Sequence, residues 1–150
     1  MIYTDTNFFT NLLIPMVHHE EAKRLAREIK TPLPVTWLLR IELVNALQQS
    51  VFLSRHGALP CRVSPEFATA MEAQFFDEVR AGRKLWETAI SHDSICAMFH
   101  DLSHRHTARE GFRTYDILHV ASALVLGCDT FWSFDAKAKK LARLEGLTVN

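Results

Sequence analysis

Apolar residues fall along this chain in short blocks that switch between the two-residue rhythm of strands and the 3.6-residue rhythm of helices. Ile2 to Thr4 is an apolar run that stops at Asp5 and reads as a buried strand, with a helix from about Asn7. Glu20 to Lys30 is charged but keeps Ala22, Leu25, Ala26 and Ile29 on one face, which predicts an amphipathic helix. Thr31-Pro-Leu-Pro breaks it, and Pro34 to Trp37 reads as a second strand. Trp37 to Ser54 is a long helix closed by His56-Gly57. Ser64 followed by Pro65 is a helix start, serine as N-cap and proline in the first turn, for a helix to about Gly82. Lys84 to Thr88 reads as a third strand. Ser91 or Asp93 caps a helix whose stripe is Ile95, Met98, Phe99 and Leu102. Thr114 caps the next, Tyr115 to Leu126, which is apolar nearly all round and stops at Gly127. Thr130 to Phe134 is a strand ending at Asp135, which opens a helix with Ala138, Leu141, Ala142 and Leu144 inward and Gly146 at its end. Leu147 to Asn150 is a last, edge-like strand.

Strands separated by helices require crossover connections and therefore a parallel sheet. The expected architecture is one α/β domain over residues 1–150: a three-layer α/β/α sandwich with a central parallel sheet and helices on both faces. A chain of 150 residues, 48% of them hydrophobic, suffices for one core of this kind and is short for two. In such sheets ligands bind beyond the carboxyl ends of the strands, where the strand order reverses. Asp5 and Asp135 both follow predicted strands.

Charge removes some partners from consideration. The chain carries 17 basic and 17 acidic residues, balanced in each half, so no global field draws it to nucleic acid or to a membrane. Nucleic-acid binding must then come from a local patch. Cys61, Cys96 and Cys128 are odd in number and widely spaced, which suggests neither a disulfide framework nor a zinc ribbon and fits a reducing cytoplasm. Asp5 interrupts the N-terminus, so no signal peptide is expected. Ile117 to Gly127 is too short to span a bilayer.

Four carboxylates then stand out. Asp5 and Asp135 can each be read simply as N-caps. Asp116 sits in the first turn of the most apolar helix, where the helix dipole favours it. Glu42 shares a face with Leu38, Asn45 and Gln49, a pattern that also fits a solvated helix face. Taken together, all four lie at starts of elements, just past strand ends or at a helix mouth. Carboxylates gathered in one cleft repel one another, and desolvation adds to the cost. Divalent metal neutralises such a cluster, and oxygen-only ligands suit Mg²⁺ or Mn²⁺ better than zinc. Two such ions would clamp the attacking and leaving oxygens of an in-line phosphodiester displacement.

With these residues in place, the chain resembles the PIN-domain family, and within it the VapC-like toxins of toxin–antitoxin pairs. The resemblance rests on Ile2-Tyr-Thr-Asp5-Thr6-Asn7, Arg40-Ile-Glu42-Leu-Val-Asn-Ala-Leu, Thr114-Tyr-Asp116-Ile-Leu-His119-Val-Ala-Ser-Ala-Leu, and Trp132-Ser133-Phe134-Asp135 leading into Lys140-Leu-Ala-Arg-Leu-Glu-Gly-Leu. It implies a PIN-like α/β/α fold and a single-strand endoribonuclease using Mg²⁺, with Mn²⁺ as an alternative. Asp5, Asp116 and Asp135 match positions that hold metal, and Glu42 one that binds it directly or through water. Thr6, Asn7 and Ser133 match auxiliary polar positions. The partners implied are an RNA substrate, a cognate antitoxin masking the cleft and a second copy in a homodimer. The segment from Glu66 to Arg113 offers little to match.

Other signals are weaker. Asp5-Thr-Asn faintly resembles the start of a dehalogenase-type phosphatase, but Asn7 stands where that chemistry needs a second aspartate. His100 and His104 share a helix face without a clear third ligand, which fits solvated histidines better than a metal site. With Arg105, Arg109 and Arg113 they could form a rim for the RNA backbone. His119 reads as a satisfied core histidine, and Trp37, Trp86 and Trp132 as packing. Two rivals to the nuclease remain from other classes: a catalytically silent PIN-like binding module, and the phosphatase.

Overall fold

Residues 1–150 are described by a computed structural model. The strands are β1 (Ile2–Thr4), β2 (Leu33–Val35), β3 (Leu85–Glu87), β4 (Thr130–Trp132) and β5 (Thr148–Val149). The helices are α1 (Thr6–Leu13), α2 (His19–Glu28), α3 (Trp37–Arg55), α4 (Pro65–Ala81), α5 (His92–Leu102), a short α6 (Ala108–Glu110), α7 (Thr114–Val125) and α8 (Ala136–Leu144). All three ladders are parallel: β1 with β4, β4 with β5, and β2 with β3. β2 lies against β1 without a ladder between them. The chain therefore builds outward from β1 to β2 and β3, then returns to the other side of β1 for β4. That reversal opens a crevice beyond the carboxyl ends of β1 and β4.

Alternation along the paired strands divides the core. Tyr3 pairs with Phe131, and both point into a cluster with Ile117, Val120, Ala121 and Leu141. Ile2 and Trp132 face the opposite side, against Phe8, Phe9, Leu39, Leu43 and Leu47. Each side of the sheet thus has its own apolar layer, as a two-residue period buried on both faces requires. Asp5 N–H donates to the Trp132 carbonyl at 3.2 Å, so the β1–β4 ladder runs into the residue that begins the crevice.

Helix punctuation follows the expected chemistry at several ends. Asp5, Thr36, Ser64, Ser91 and Asp135 each accept a backbone N–H of the helix they open. Four details differ from the sequence reading. Thr114 is not the cap of α7; Arg113 is, because Asp116 reaches back to accept the Arg113 backbone N–H at 3.0 Å. Trp37 belongs to α3 and not to the second strand. The strand expected to reach Phe134 stops at Trp132, and Ser133 N–H donates to the Asn150 side chain at 2.9 Å. Leu144, placed inward by periodicity, is 45% exposed.

The helix after Ser91 also ends in a way that periodicity does not reveal. Ser103–Thr107 is π-helical, its hydrogen bonds spanning one more residue than those of the helix before it. That extra residue aims both Arg105 and His106 at Glu145 near the end of α8: Arg105 donates twice at 2.8 Å, and His106 Nε2 lies 2.6 Å away. Gly111, at φ +66°, then reverses the chain so that Phe112 is buried and Arg113 can cap α7.

Leu39→Ala and Leu141→Ala empty one site in each apolar layer. Each is expected to lower unfolding free energy by about 2–5 kcal/mol. With the chain acting as one domain, the double variant should still unfold in a single transition by both circular dichroism and tryptophan fluorescence. Two separated transitions would show that the layers are independent.

Candidate active site

The crevice beyond β1 and β4 is an open cleft of about 360 Å³. Its lining includes Asp5, Glu42, Asp116 and Asp135, brought there from the end of β1, the second turn of α3, the first turn of α7 and the N-cap of α8. Thr6, Asn7, His119 and Arg113 line it as well. Further along, the cleft becomes neutral and amide-rich, with Asn11, Gln49 and Ser50.

Asp5 is the most enclosed of the four. It is 4% exposed, accepts the Phe8 N–H at 2.9 Å with one oxygen and the Ser133 hydroxyl at 2.6 Å with the other. Burial pushes its carboxyl up to about 6; the charge of His119 and the bonds from Ser133 and Phe8 oppose this, and Glu42 adds to it. Ser133, fully buried behind the cleft, also accepts the Asp135 N–H at 2.8 Å. One hydroxyl thus fixes Asp5 against the start of α8.

Asp135 uses one oxygen as the α8 cap, accepting from Lys137 N–H at 2.8 Å and Ala138 N–H at 3.1 Å. Its other oxygen accepts from Arg113 Nη2 at 2.7 Å. Burial alone would raise this carboxyl, but the two backbone bonds and the guanidinium hold it below the usual range. The same Nη2 donates to Asp116 Oδ1 at 2.9 Å, and Arg113 Nε to Asp116 Oδ2 at 3.1 Å.

Glu42 is held by a different column. Its Oε2 accepts from the Thr6 hydroxyl and from His119 Nε2. On the far side of the ring, His119 Nδ1 is 2.9 Å from the Tyr3 hydroxyl. Burial holds the Tyr3 phenol protonated well above its usual range, so its hydroxyl stays available to hold the Nδ1 edge of the ring while Nε2 faces Glu42. Burial would raise Glu42, but the His119 bond and charge, the Thr6 bond and the more distant Arg113 charge together lower it.

The sequence-derived residues therefore reach one cleft from four elements, with Ser133 just behind it. They do not form a closed cage. No three His, Cys, Asp or Glu side chains stand ready to hold an ion together, because Arg113 and His119 already engage three of the four carboxylates. The donor set is nonetheless all oxygen, and buried Asp5 has no hydrogen bond or ion pair to any cationic side chain, so the chemistry fits a hard divalent ion. Arg105 and Arg109 do not line the cleft. Arg105 is forked onto Asp101 and Glu145, and Arg109 pairs with Glu110 at 2.8 Å. Only Arg113 of the three is placed to meet a ligand there. His119 is the residue that sequence reasoning assigned to the core; its spacing of three from Asp116, on one face of α7, was the available signal.

Residues 2–144 match the profile of the PIN domain. Solved structures share the fold, among them the following three. The chain is 19% identical to the Mycobacterium tuberculosis toxin VapC20, described as cleaving the Sarcin-Ricin loop, with a TM-score of 0.65 over 93% of this chain and 94% of that one. FitAcB from Neisseria gonorrhoeae gives 13% identity, TM-score 0.62, and coverage of 99% and 96%. VapBC-1 from nontypeable Haemophilus influenzae gives 15%, 0.60, and 100% and 97%. No curated protein sequence matches the chain.

Asp5→Asn tests how Asp5 sits in the fold. Its folded carboxyl titrates near 6 and an unfolded one near 3.8, so ionisation costs the folded state stability as pH rises from about 4 to 6. Above that range the cost is about 2–3 kcal/mol. Asparagine keeps the N-cap and loses the charge, and disturbing the Ser133 bond offsets part of the gain. In metal-free buffer at pH 7 the variant should melt at or above the wild type, and the difference should shift toward the wild type below pH 4. A melting series from pH 3 to 8 reads this.

Proposed function

This chain belongs to the PIN domain family, and we propose that it is a metal-dependent single-strand endoribonuclease, the VapC-like toxin of a toxin–antitoxin pair. The observation that carries this reading is the arrival of Asp5, Glu42, Asp116 and Asp135 in one cleft from four separate elements. Asp5, Asp116 and Asp135 would hold Mg²⁺ or Mn²⁺ directly, and Glu42 directly or through water. A divalent ion bound there supplies an activated water and offsets charge on the scissile phosphate.

The chain's own groups do the rest. Ser133 fixes the orientation of Asp5 relative to Asp135. Thr6 and His119 fix Glu42, and Tyr3 holds the far edge of the His119 ring. Asn7, exposed at the mouth, offers an amide to a phosphate or base edge. The neutral stretch around Asn11, Gln49 and Ser50 continues the cleft without adding negative charge, which suits a polyanionic strand. The fold shared with VapC20, described as a toxin, supports assigning this chain to that group; the partners of this reading are an antitoxin that covers the cleft and a second copy in a homodimer. No helix is long and apolar enough to cross a membrane; the cytoplasm is the site of action in this reading.

A catalytically silent binding module is the second reading. The bridging Arg113 favours it, because that guanidinium neutralises Asp116 and Asp135 without any metal. Cleavage separates the two. Wild-type protein with Mg²⁺ or Mn²⁺ is expected to cut single-stranded RNA, to stop on chelation, and to leave a small phosphomonoester untouched. Asp5→Asn and Asp135→Asn should abolish the cutting. His119→Ala, which frees Glu42 from its orienting partner, should lower it about 10–100-fold. RNA left intact by the metal-loaded wild type, or cut equally well by Asp5→Asn, contradicts the nuclease.

A further inference from the structure

Arg113 is unusual among the cleft residues because it contributes the only guanidinium. Its Nη2 is shared between Asp116 Oδ1 at 2.9 Å and Asp135 Oδ2 at 2.7 Å, and its Nε holds Asp116 Oδ2 at 3.1 Å. It also lowers Glu42 through space. One positive charge therefore serves three of the four carboxylates. Yet the side chain is 63% exposed, while Asp116 is 5% exposed and Asp135 27%. The guanidinium reaches into the cleft from solvent at the end of a flexible stem. Its side chain makes hydrogen bonds to these two carboxylates alone, the remaining bond to Asp116 being made by the backbone N–H.

We propose that Arg113 is a tethered counter-ion: it occupies the cation position between Asp116 and Asp135 in the metal-free protein and must swing out when a divalent ion loads. The inference rests on the metal-dependent reading given above and deepens it. A guanidinium and a metal ion compete for the same carboxylate oxygens, and their like charges repel. The resting ion pairs therefore lower apparent metal affinity by the fraction of time the site is open. They also keep the metal-free cleft folded despite its clustered charge. On loading, the fork is released at the mouth of the cleft, where a phosphate group can take the place of the two carboxylates.

The test is titration of Mn²⁺ by calorimetry into metal-free wild type, Arg113→Gln, Arg113→Lys and Asp5→Asn, with melting curves of each. Arg113→Gln removes the charge and keeps the capping backbone N–H. It should bind Mn²⁺ on the order of tenfold more tightly than wild type, melt lower without metal, and gain more in melting temperature when Mn²⁺ is added. Arg113→Lys keeps the charge without the fork and should fall between the two, so it serves as the test if the glutamine variant does not fold. A folded Arg113 variant that binds Mn²⁺ no more tightly than wild type overturns the counter-ion role while leaving the metal site intact. Failure of wild type and every variant to bind Mn²⁺ overturns the metal site, and this inference with it.

Discussion

Four carboxylates meeting at the mouth of one small sheet is the constraint on which the rest of this structure depends. Unit charges about 4 Å apart still interact by about 4 kcal/mol at the effective dielectric of a protein surface. The cleft is arranged to contain that repulsion. Asp116 and Asp135 share a guanidinium, Glu42 takes a histidine and a threonine, and Asp5 is left with a serine and a backbone amide. Only Asp5 lacks a hydrogen bond or ion pair to a cationic side chain, and it is the one driven well above the usual carboxylate range. The most buried acid and the least compensated one are the same residue, which is what a site built around an added cation requires.

The scaffold makes this arrangement possible by its topology. Because β4 returns beside β1, the ends of those two strands lie together, and Asp5 and Ser133 become neighbours although 128 positions separate them. The apolar layers on both sides leave Tyr3 beneath α7, where its hydroxyl reaches His119. Packing on one side of the sheet thereby sets the orientation of a carboxylate from the helix on the other. The α5 end is tied separately, through the π-helical turn that brings Arg105 and His106 onto Glu145.

Much of this was legible in the residues. Asp5 and Asp135 follow apolar runs and precede helical ones, and that strand–acid–helix punctuation placed both at the crevice as well as at caps. Glu42 was ambiguous because its own helix gives it a polar face, and only Thr6 and His119, which arrive from other elements, distinguish it. His119 was hidden for a related reason: a histidine in an apolar helix looks like core until its partner is known. Arg105, Arg109 and Arg113 group on local positive charge, and serving one cleft together would need a shared face. The π-helical turn and Gly111 interrupt that face, leaving Arg105 on Glu145, Arg109 on Glu110 and Arg113 alone at the cleft. Gly111 carries the ordinary helix-stop signal, but the π turn has no strong local one, since its extra residue is set by what the side chains reach.

The central claim is that the cleft holds a divalent cation where a guanidinium now bridges two acids. A crystal structure of the protein grown with Mn²⁺, with anomalous scattering to locate the ion, tests it most directly. The account predicts an anomalous peak in the cleft with Asp5 and at least one of Asp116 and Asp135 bound to it at about 2.0–2.2 Å, and Arg113 turned away from both. A cleft without a peak at saturating Mn²⁺, with Arg113 still joining Asp116 to Asp135, would contradict it.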